Sequence, residues 1–106
     1  MALHHLQPGE KVSLESLASS AGGRTAALVK TDRFEAAHLR VGAGQNIARH
    51  SVPGFATIHC LGGRVILDTD RPIELAAGDW LYLDPGEAHS VRAIEDSSLL
   101  LTILFE

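Results

Sequence analysis

The sequence predicts an all-β domain, a sandwich or barrel built from short strands. From residue 25 onward, short apolar segments alternate with turn residues about every eight to twelve positions, which is the spacing typical of such folds. Glycine, proline and aspartate form the turns, and each of these residues has a backbone reason to occur there. Nothing after residue 25 indicates a long helix.

Nine segments carry this pattern and are predicted to be strands. They span residues 25–29, 34–41, 47–50, 56–61, 64–67, 73–75, 80–83, 90–94 and 99–105. The last segment is apolar except for Thr102 and does not alternate, so we expect a strand that is covered on both faces. In a domain this small the second cover is expected to be another subunit, which predicts a symmetric homodimer.

Residues 1–24 are predicted to be a short N-terminal arm of the same domain, and residues 25–106 are predicted to be the barrel. Leu14, Leu17 and Ala18 are spaced for one helical face, and the glycines at 22–23 would end a helix there. We therefore expect a short helix or turn in the arm.

Composition limits the class of protein. A chain of 106 residues forms one domain, and a hydrophobic fraction of 45% excludes a disordered chain. The longest apolar run is too short to cross a bilayer, and the N-terminus lacks the pattern of a secretory signal. The single cysteine, Cys60, cannot form an internal disulfide, so we expect a cytoplasmic protein with no membrane partner.

Charge and aromatic content argue against a nucleic-acid partner. The net charge is −4, and the nine basic residues are scattered along the chain instead of forming a phosphate-binding cluster. Aromatic residues make up 5% of the chain, too few for a surface on which bases stack. The basic residues in question, Lys30, Arg40, Arg49, Arg64 and Arg92, are expected to be mainly solvated.

Two segments about thirty residues apart share the spacing of a motif pair that holds a metal in a β-barrel. The shared positions are, in chain order, Gly44, His50, Gly63, Gly78, Gly86 and His89. With these positions the chain resembles the cupin superfamily. Its first motif reads Gly, five residues, His-x-His, three or four residues, Glu, six residues, Gly. Its second reads Gly, five residues, Pro-x-Gly, two residues, His, three residues, Asn. The resemblance covers roughly residues 25–105 and implies a double-stranded β-helix, or jelly-roll, barrel.

Other positions of the two motifs carry different residues. The second histidine is replaced by Val52, the glutamate by Ala56, the motif proline by Asp84 and the final asparagine by Ala93. No aspartate or glutamate lies between residues 35 and 68, so no small shift of the alignment restores the carboxylate. The resemblance therefore implies the fold more directly than the chemistry.

Strand parity predicts which residues meet inside the barrel, because alternate side chains point to opposite faces. If His50 points inward, Val52, Ala56 and Ile58 follow on the same face, and His89 converges from the second motif. Aromatic residues of the segment 80–83 are expected to complete the wall. The predicted ligand-binding pocket consists of His50, Val52, Ala56, Ile58, Trp80, Tyr82 and His89.

His50 and His89 are also the candidate metal ligands. A catalytic metal usually has three protein ligands, and dioxygen-activating iron typically takes two histidines and a carboxylate. A third donor would have to come from His59, Cys60 or Asp84. The sequence therefore leaves two alternatives open, no cofactor or a divalent ion of iron, manganese, nickel or zinc.

The remaining histidines and Cys60 have structural interpretations. His59 is predicted to be a surface or interface residue, His38 a structural residue within its strand, and Cys60 a small core residue. His4 and His5 are adjacent in the arm, so their side chains would point to opposite sides and would not chelate a metal.

The sequence allows two interpretations of the role of Asp84. At the first position of a turn, aspartate is a common capping residue. A carboxylate five residues before His89 would also orient that imidazole, as in the Asp-His pairs of some metal-free cupins, the deoxysugar-nucleotide epimerases among them.

These residues leave the function open between a binding protein and an enzyme. The missing ligands favour a small-molecule-binding protein with an apolar barrel pocket around His50 and His89. The alternative is a divalent-metal-dependent oxygenase, isomerase or decarboxylase that acts on a small organic acid or carbonyl compound. A third option is metal-free acid/base catalysis through His89. The substrate does not follow from spacing, because this fold hosts unrelated reactions.

Overall fold

The computed structural model describes residues 5–19 and 25–105, which form one short helix and nine strands. In chain order the elements are α1 (Leu14–Ser19), β1 (Ala26–Lys30), β2 (Phe34–Val41), β3 (Asn46–His50), β4 (Phe55–Gly62), β5 (Arg64–Asp68), β6 (Pro72–Ala76), β7 (Trp80–Leu83), β8 (His89–Ala93) and β9 (Ser97–Leu104). Each predicted strand is confirmed, and its ends lie within two residues of the observed ends.

The strands form two antiparallel sheets. One sheet has five strands in the order β1-β2-β9-β4-β7, and the other has four in the order β3-β8-β5-β6. Strand β9 lies between β2 and β4 in the larger sheet, although it is the last strand of the chain. This crossing of the chain between two sheets is the jelly-roll arrangement, so the all-β fold class is confirmed.

The side chains of β4 alternate between the core and the outer surface. Ala56, Ile58 and Cys60 are buried, whereas the residues between them are only partly buried. On the facing sheet Val65 and Leu67 are fully buried in the same hydrophobic cluster. The inward parity predicted for β4 is therefore confirmed, and one core lies between the two sheets.

The N-terminal arm contains the predicted helix, and this helix packs on β4 and β9 of the larger sheet. The Arg40 guanidinium donates a hydrogen bond to the backbone oxygen of Ala18 in the helix, at 3.4 Å. Helix α1 has six residues, and within the described ranges no helix is long and apolar enough to cross a bilayer. The predicted helix stop at residues 22–23 and His4 lie outside the described residues.

Strand β9 presents apolar side chains to both faces of its sheet. Leu99 and Ile103 are buried in the core, whereas Leu100 is partly buried and Leu104 is 45% exposed on the outer face. Helix α1 of the N-terminal arm packs on β9, so it supplies part of the second cover expected for this strand. The homodimer stays a prediction.

His38 is a buried structural residue, as predicted. It lies on β2, is fully buried, and its Nε2 atom hydrogen-bonds to the hydroxyl of Ser98 on the neighbouring strand β9. A buried polar side chain costs stability unless its hydrogen bonds are made, so this pair satisfies two groups at once.

Gly63 joins the two sheets at a point where no side chain fits. It links β4 of one sheet to β5 of the other, and its φ of 80° lies in the left-handed region. A Cβ atom at this position would lie 2.3 Å from the backbone oxygen of Asp96. The motif glycine is therefore explained by backbone geometry at the turn between the two halves of the barrel.

Cys60 is a core residue with a neutral thiol. It is fully buried, and burial raises the pKa of the thiol above its ordinary value of 9.0. The carboxylates of Asp79 and Glu95 act in the same direction, whereas a hydrogen bond from the backbone of Gly62 opposes them. A protonated, enclosed thiol is a poor nucleophile and a poor metal ligand.

We expect Gly63→Ala to lower the free energy of unfolding by about 3 kcal/mol or more, because it adds a steric clash to an unfavourable φ. Gly44→Ala is the matched control, since Gly44 has the same φ of 80° but nothing within 4 Å of its added Cβ. The control is expected to cost about 1–2 kcal/mol. Urea unfolding measures both values, and equal losses would contradict the account of Gly63.

The buried thiol predicts a pH dependence of stability. Because its pKa is raised in the folded protein, the unfolded chain ionises first, and the stability contributed by the neutral thiol is lost as the pH rises above 9.0. The difference in unfolding free energy between wild type and Cys60→Ala should therefore shrink between neutral pH and about pH 10. A difference that stays constant over this range would show that Cys60 is not held neutral by burial.

Candidate functional site

The two motif histidines lie opposite each other on neighbouring strands. His50 ends β3, His89 begins β8, and the two residues are direct partners in the antiparallel pair. Their ring centroids are 4.4 Å apart and the ring planes meet at 56°. The two imidazoles therefore converge, as the spacing of the motifs predicts.

A break in the regular pairing of β3 turns His50 toward His89. The pairing register shifts between Ile47, which is opposite Val91, and His50. An irregularity of this kind re-aims the side chains that follow it. Ile47 and His50 border the same cavity although they are three positions apart, which the alternation of a regular strand would not allow.

Hydrogen bonds to the backbone fix the orientation of both rings. The Nδ1–H group of His50 donates to the backbone oxygen of Ala48 at 2.8 Å, and that of His89 donates to the backbone oxygen of Glu87 at 3.0 Å. Because a carbonyl oxygen only accepts, each Nδ1 carries the hydrogen, and in the neutral ring Nε2 carries a lone pair. The site thus has two fixed acceptor nitrogens.

The two rings border a small apolar cavity of about 150 Å³ inside the barrel. Its other lining residues are aliphatic and come from both sheets: Leu39, Ile47, Ile58, Val91, Leu99 and Leu101. His89 is 3% exposed, whereas His50 is exposed. His50 therefore lies at the mouth of the cavity, and His89 lies in its wall.

The structure brings together only some of the predicted pocket residues. Ile58 lines the cavity beside the two histidines. Val52 and Ala56 belong to the neighbouring core packing, where Ala56 is 1% exposed. Neither contributes to the lining of the cavity itself.

The prediction for Trp80 and Tyr82 was wrong. Their side chains are 57% and 59% exposed, and neither lines the cavity. In the pairing of β4 with β7, Leu81 lies opposite the buried Ile58, while Tyr82 lies opposite Thr57. The leucines of β7 therefore face the core, and the aromatic residues take the outer face.

Several lining residues were not predicted, although strand parity contains a signal for some of them. Val91 is two positions after His89 on the same strand, so it faces the same side of the sheet. Leu99 and Leu101 alternate in the same way on β9. Ile47 had no such signal, because the irregularity in β3 is not visible in the sequence.

Within the described part of the chain, no third metal donor joins the two histidines. Among residues 5–19 and 25–105, no group of three His, Cys, Asp or Glu side chains is placed to hold a metal ion. Of the three candidates, His59 pairs with Trp80 on the strand positions that face outward, and Cys60 is enclosed in the core. A donor set of two imidazoles does not fit a catalytic metal with three protein ligands.

Asp84 begins the turn that positions His89, and it does not contact the ring. The backbone oxygen of Asp84 accepts a hydrogen bond from the N–H of Glu87 at 3.1 Å, which closes the turn. His89 donates its Nδ1–H to Glu87 and not to an aspartate. Asp84 therefore begins a turn, as predicted, and no hydrogen bond among the described residues joins its carboxylate to His89.

Two of the five basic residues considered above, Arg64 and Arg92, form ion pairs with carboxylates. Arg64 pairs with Glu74 and Glu95 at 3.4 and 3.8 Å, and Arg92 pairs with Asp68 at 3.0 Å. The side chains of these ion pairs are well solvated, and ion pairs between solvated side chains add little stability.

Solved structures with the same fold cover nearly the whole chain. A cupin superfamily protein from Desulfitobacterium hafniense is 19% identical, covers 100% of both chains and gives a TM-score of 0.81. A conserved protein of unknown function from Streptococcus pyogenes is 21% identical, with a TM-score of 0.80 over 100% of this chain and 96% of that chain. An RmlC-like cupin from Desulfovibrio desulfuricans is 23% identical, with a TM-score of 0.70 over 98% of this chain and 96% of that chain.

No protein-family model matches the chain, and no curated protein matches it. At sequence identities of 19–23%, these similarities show the fold of the chain but do not show an activity. The resemblance of the two motifs is thus confirmed at the level of the fold: the chain is a small protein with the cupin fold.

Proposed function

We propose that this protein binds a small, mainly apolar molecule that carries one hydrogen-bond donor, in the cavity beside His50 and His89. The observation that carries the proposal is an aliphatic cavity bordered by two imidazoles with fixed acceptor nitrogens. Binding sites of this kind are mostly apolar, and a few polar groups determine the orientation of the ligand.

The size of the cavity limits the part of the ligand that it encloses. A dry cavity of about 150 Å³ takes a molecule the size of benzene. Burial of such a body is favourable by about 25 cal/mol for each Å² of apolar surface removed from water. The aliphatic lining therefore supplies most of the affinity in this proposal.

The two Nε2 atoms supply the selectivity. Each can accept a hydrogen bond, so they favour a ligand that donates one, such as a phenol or another hydroxyl compound. A hydrogen bond of this kind contributes about 1 kcal/mol. A ligand without a donor would leave the buried nitrogen of His89 without a partner, which also lowers its affinity.

The alternative is a divalent-metal-dependent enzyme that acts on a small organic acid or carbonyl compound. One observation favours it: both rings donate Nδ1–H to a backbone carbonyl, which is how metal-ligating histidines are commonly held. Against it stands the donor set, since the described residues supply two ligands where a catalytic site takes three. We therefore derive no metal-dependent reaction.

Phenol should bind about fivefold more tightly than toluene, because the two molecules share a ring and differ in one hydrogen-bond donor. In His89→Phe the ring volume is kept and the buried one of the two acceptor nitrogens is lost, so the preference for phenol should fall while toluene still binds. NMR titration of the leucine and isoleucine methyl groups measures both affinities. His59→Phe is the matched control, because His59 lies on the outer face of β4.

The preference for phenol should be unchanged in His59→Phe. If neither compound perturbs the methyl groups that line the cavity, or if wild type and His89→Phe show the same preference, the proposed binding site is incorrect.

Metal analysis separates the proposal from its alternative. Protein purified without a nickel column is expected to contain far less than one ion per chain, since two imidazoles alone hold a divalent ion weakly. Elemental analysis by mass spectrometry gives this ratio. One ion per chain that is lost in His50→Ala and His89→Ala, but kept in His59→Ala, would establish the metal site and reject the proposal.

A further inference from the structure

A second, larger groove opens on the surface beside the histidine cavity. It measures about 540 Å³ and is lined by Thr25, Leu39, Arg40, Val41, Gln45, Asn46 and Ile47. It follows the seam between β2 of the five-stranded sheet and β3 of the four-stranded sheet. Within the described ranges these two consecutive strands belong to different sheets and are not paired with each other.

Two side chains border both the groove and the histidine cavity. Leu39 on β2 and Ile47 on β3 line each of the two spaces, so a layer of two side chains separates them. Both are only partly buried, and both pack on the edge of the core. These two side chains are therefore the ones that would have to rotate to connect the cavity with the groove.

Strand β3 is held on one side only. It is an edge strand, it pairs with β8 alone, and all its residues except Ile47 are exposed. A strand with so few buried contacts is among the parts of a fold that open at low cost. Because β3 also carries His50, its movement changes the seam and the mouth of the cavity together.

The groove differs in polarity from the cavity. Its walls combine apolar side chains with the polar side chains of Thr25, Gln45 and Asn46, and Arg40 provides the one formal charge in its lining. Arg40 is partly buried, and one of its N–H groups donates to the backbone oxygen of Ala18. Its remaining positive charge favours an anionic group at this end of the groove.

We propose that the ligand site continues through the seam between β2 and β3, and that the natural ligand is an elongated molecule with a carboxylate at its far end. The hydrogen-bond donor lies at the histidines, the apolar body passes Leu39 and Ile47, and the carboxylate lies at Arg40. This inference rests on the proposed function, because it extends the same binding site.

A series of 4-alkylphenols tests the passage through the seam. Phenol alone fills a cavity of this size, so each added methylene group must enter the seam. The affinity should rise by about fourfold for each methylene from 4-methylphenol to 4-pentylphenol. A steep loss of affinity beyond 4-methylphenol would overturn the passage while leaving the proposed function intact. Absence of phenol binding would instead reject the proposed function itself.

The direction of the alkyl chain has its own measurement. In a complex with 4-pentylphenol, the terminal methyl group should show nuclear Overhauser effects to the methyl groups of Thr25 and Ile47. Effects confined to His50 and Val52 would show that the chain leaves through the mouth of the cavity, and would overturn the inference.

A carboxylate probe tests the assigned end of the groove. Arg40→Gln should weaken binding of 5-(4-hydroxyphenyl)pentanoate by about fivefold, the effect of one exposed charge pair, and leave 4-pentylphenol unchanged. Arg49→Gln is the matched control, since Arg49 lies on β3 but does not line the groove. Equal affinity of the carboxylate probe for wild type and Arg40→Gln would reject the anionic end of the ligand.

Discussion

The antiparallel pairing of β3 with β8 is the constraint on which the site depends. It sets His50 directly opposite His89, and the irregularity before His50 turns that ring toward its partner. The loops at this end are also joined, because the N–H of Gly86 in the second motif donates to the backbone oxygen of Val52 in the first, at 2.9 Å. Two distant parts of the sequence are thereby held at one opening of the barrel, and the turn glycines allow the backbone to reach this geometry.

The absence of a carboxylate at the motif position of the glutamate changes the chemistry that is open to the two imidazoles. Ala56 occupies the motif position of the glutamate and is buried in the core, so no charge faces the rings from β4. With aliphatic side chains around them, the rings become hydrogen-bond acceptors at the edge of an apolar space. In the proposed function, the same fold framework that commonly holds a metal would bind an uncharged or weakly polar group, in agreement with the view that function resides in the site and not in the fold.

Much of the fold could be predicted, because turn residues and alternation are local signals. The convergence of His50 and His89 followed from the motif resemblance, and the inward parity of Ala56 and Ile58 followed from strand alternation. The faces of Trp80 and Tyr82 did not, because Leu81 and Leu83 form an equally good apolar set and only the register with β4 decides between them. The contribution of Ile47 depends on an irregularity in β3, and irregularities of this kind are set by tertiary contacts that a single sequence does not reveal.

The state of the two rings tests the account most directly, because the proposed selectivity follows from it. Nitrogen-15 NMR of histidine-labelled protein distinguishes a protonated from an unprotonated ring nitrogen. The account predicts that Nδ1 is protonated and Nε2 unprotonated in both His50 and His89, and that phenol shifts the Nε2 signals. Protonated Nε2 atoms in both rings, or Nε2 signals that do not respond to phenol, would contradict it.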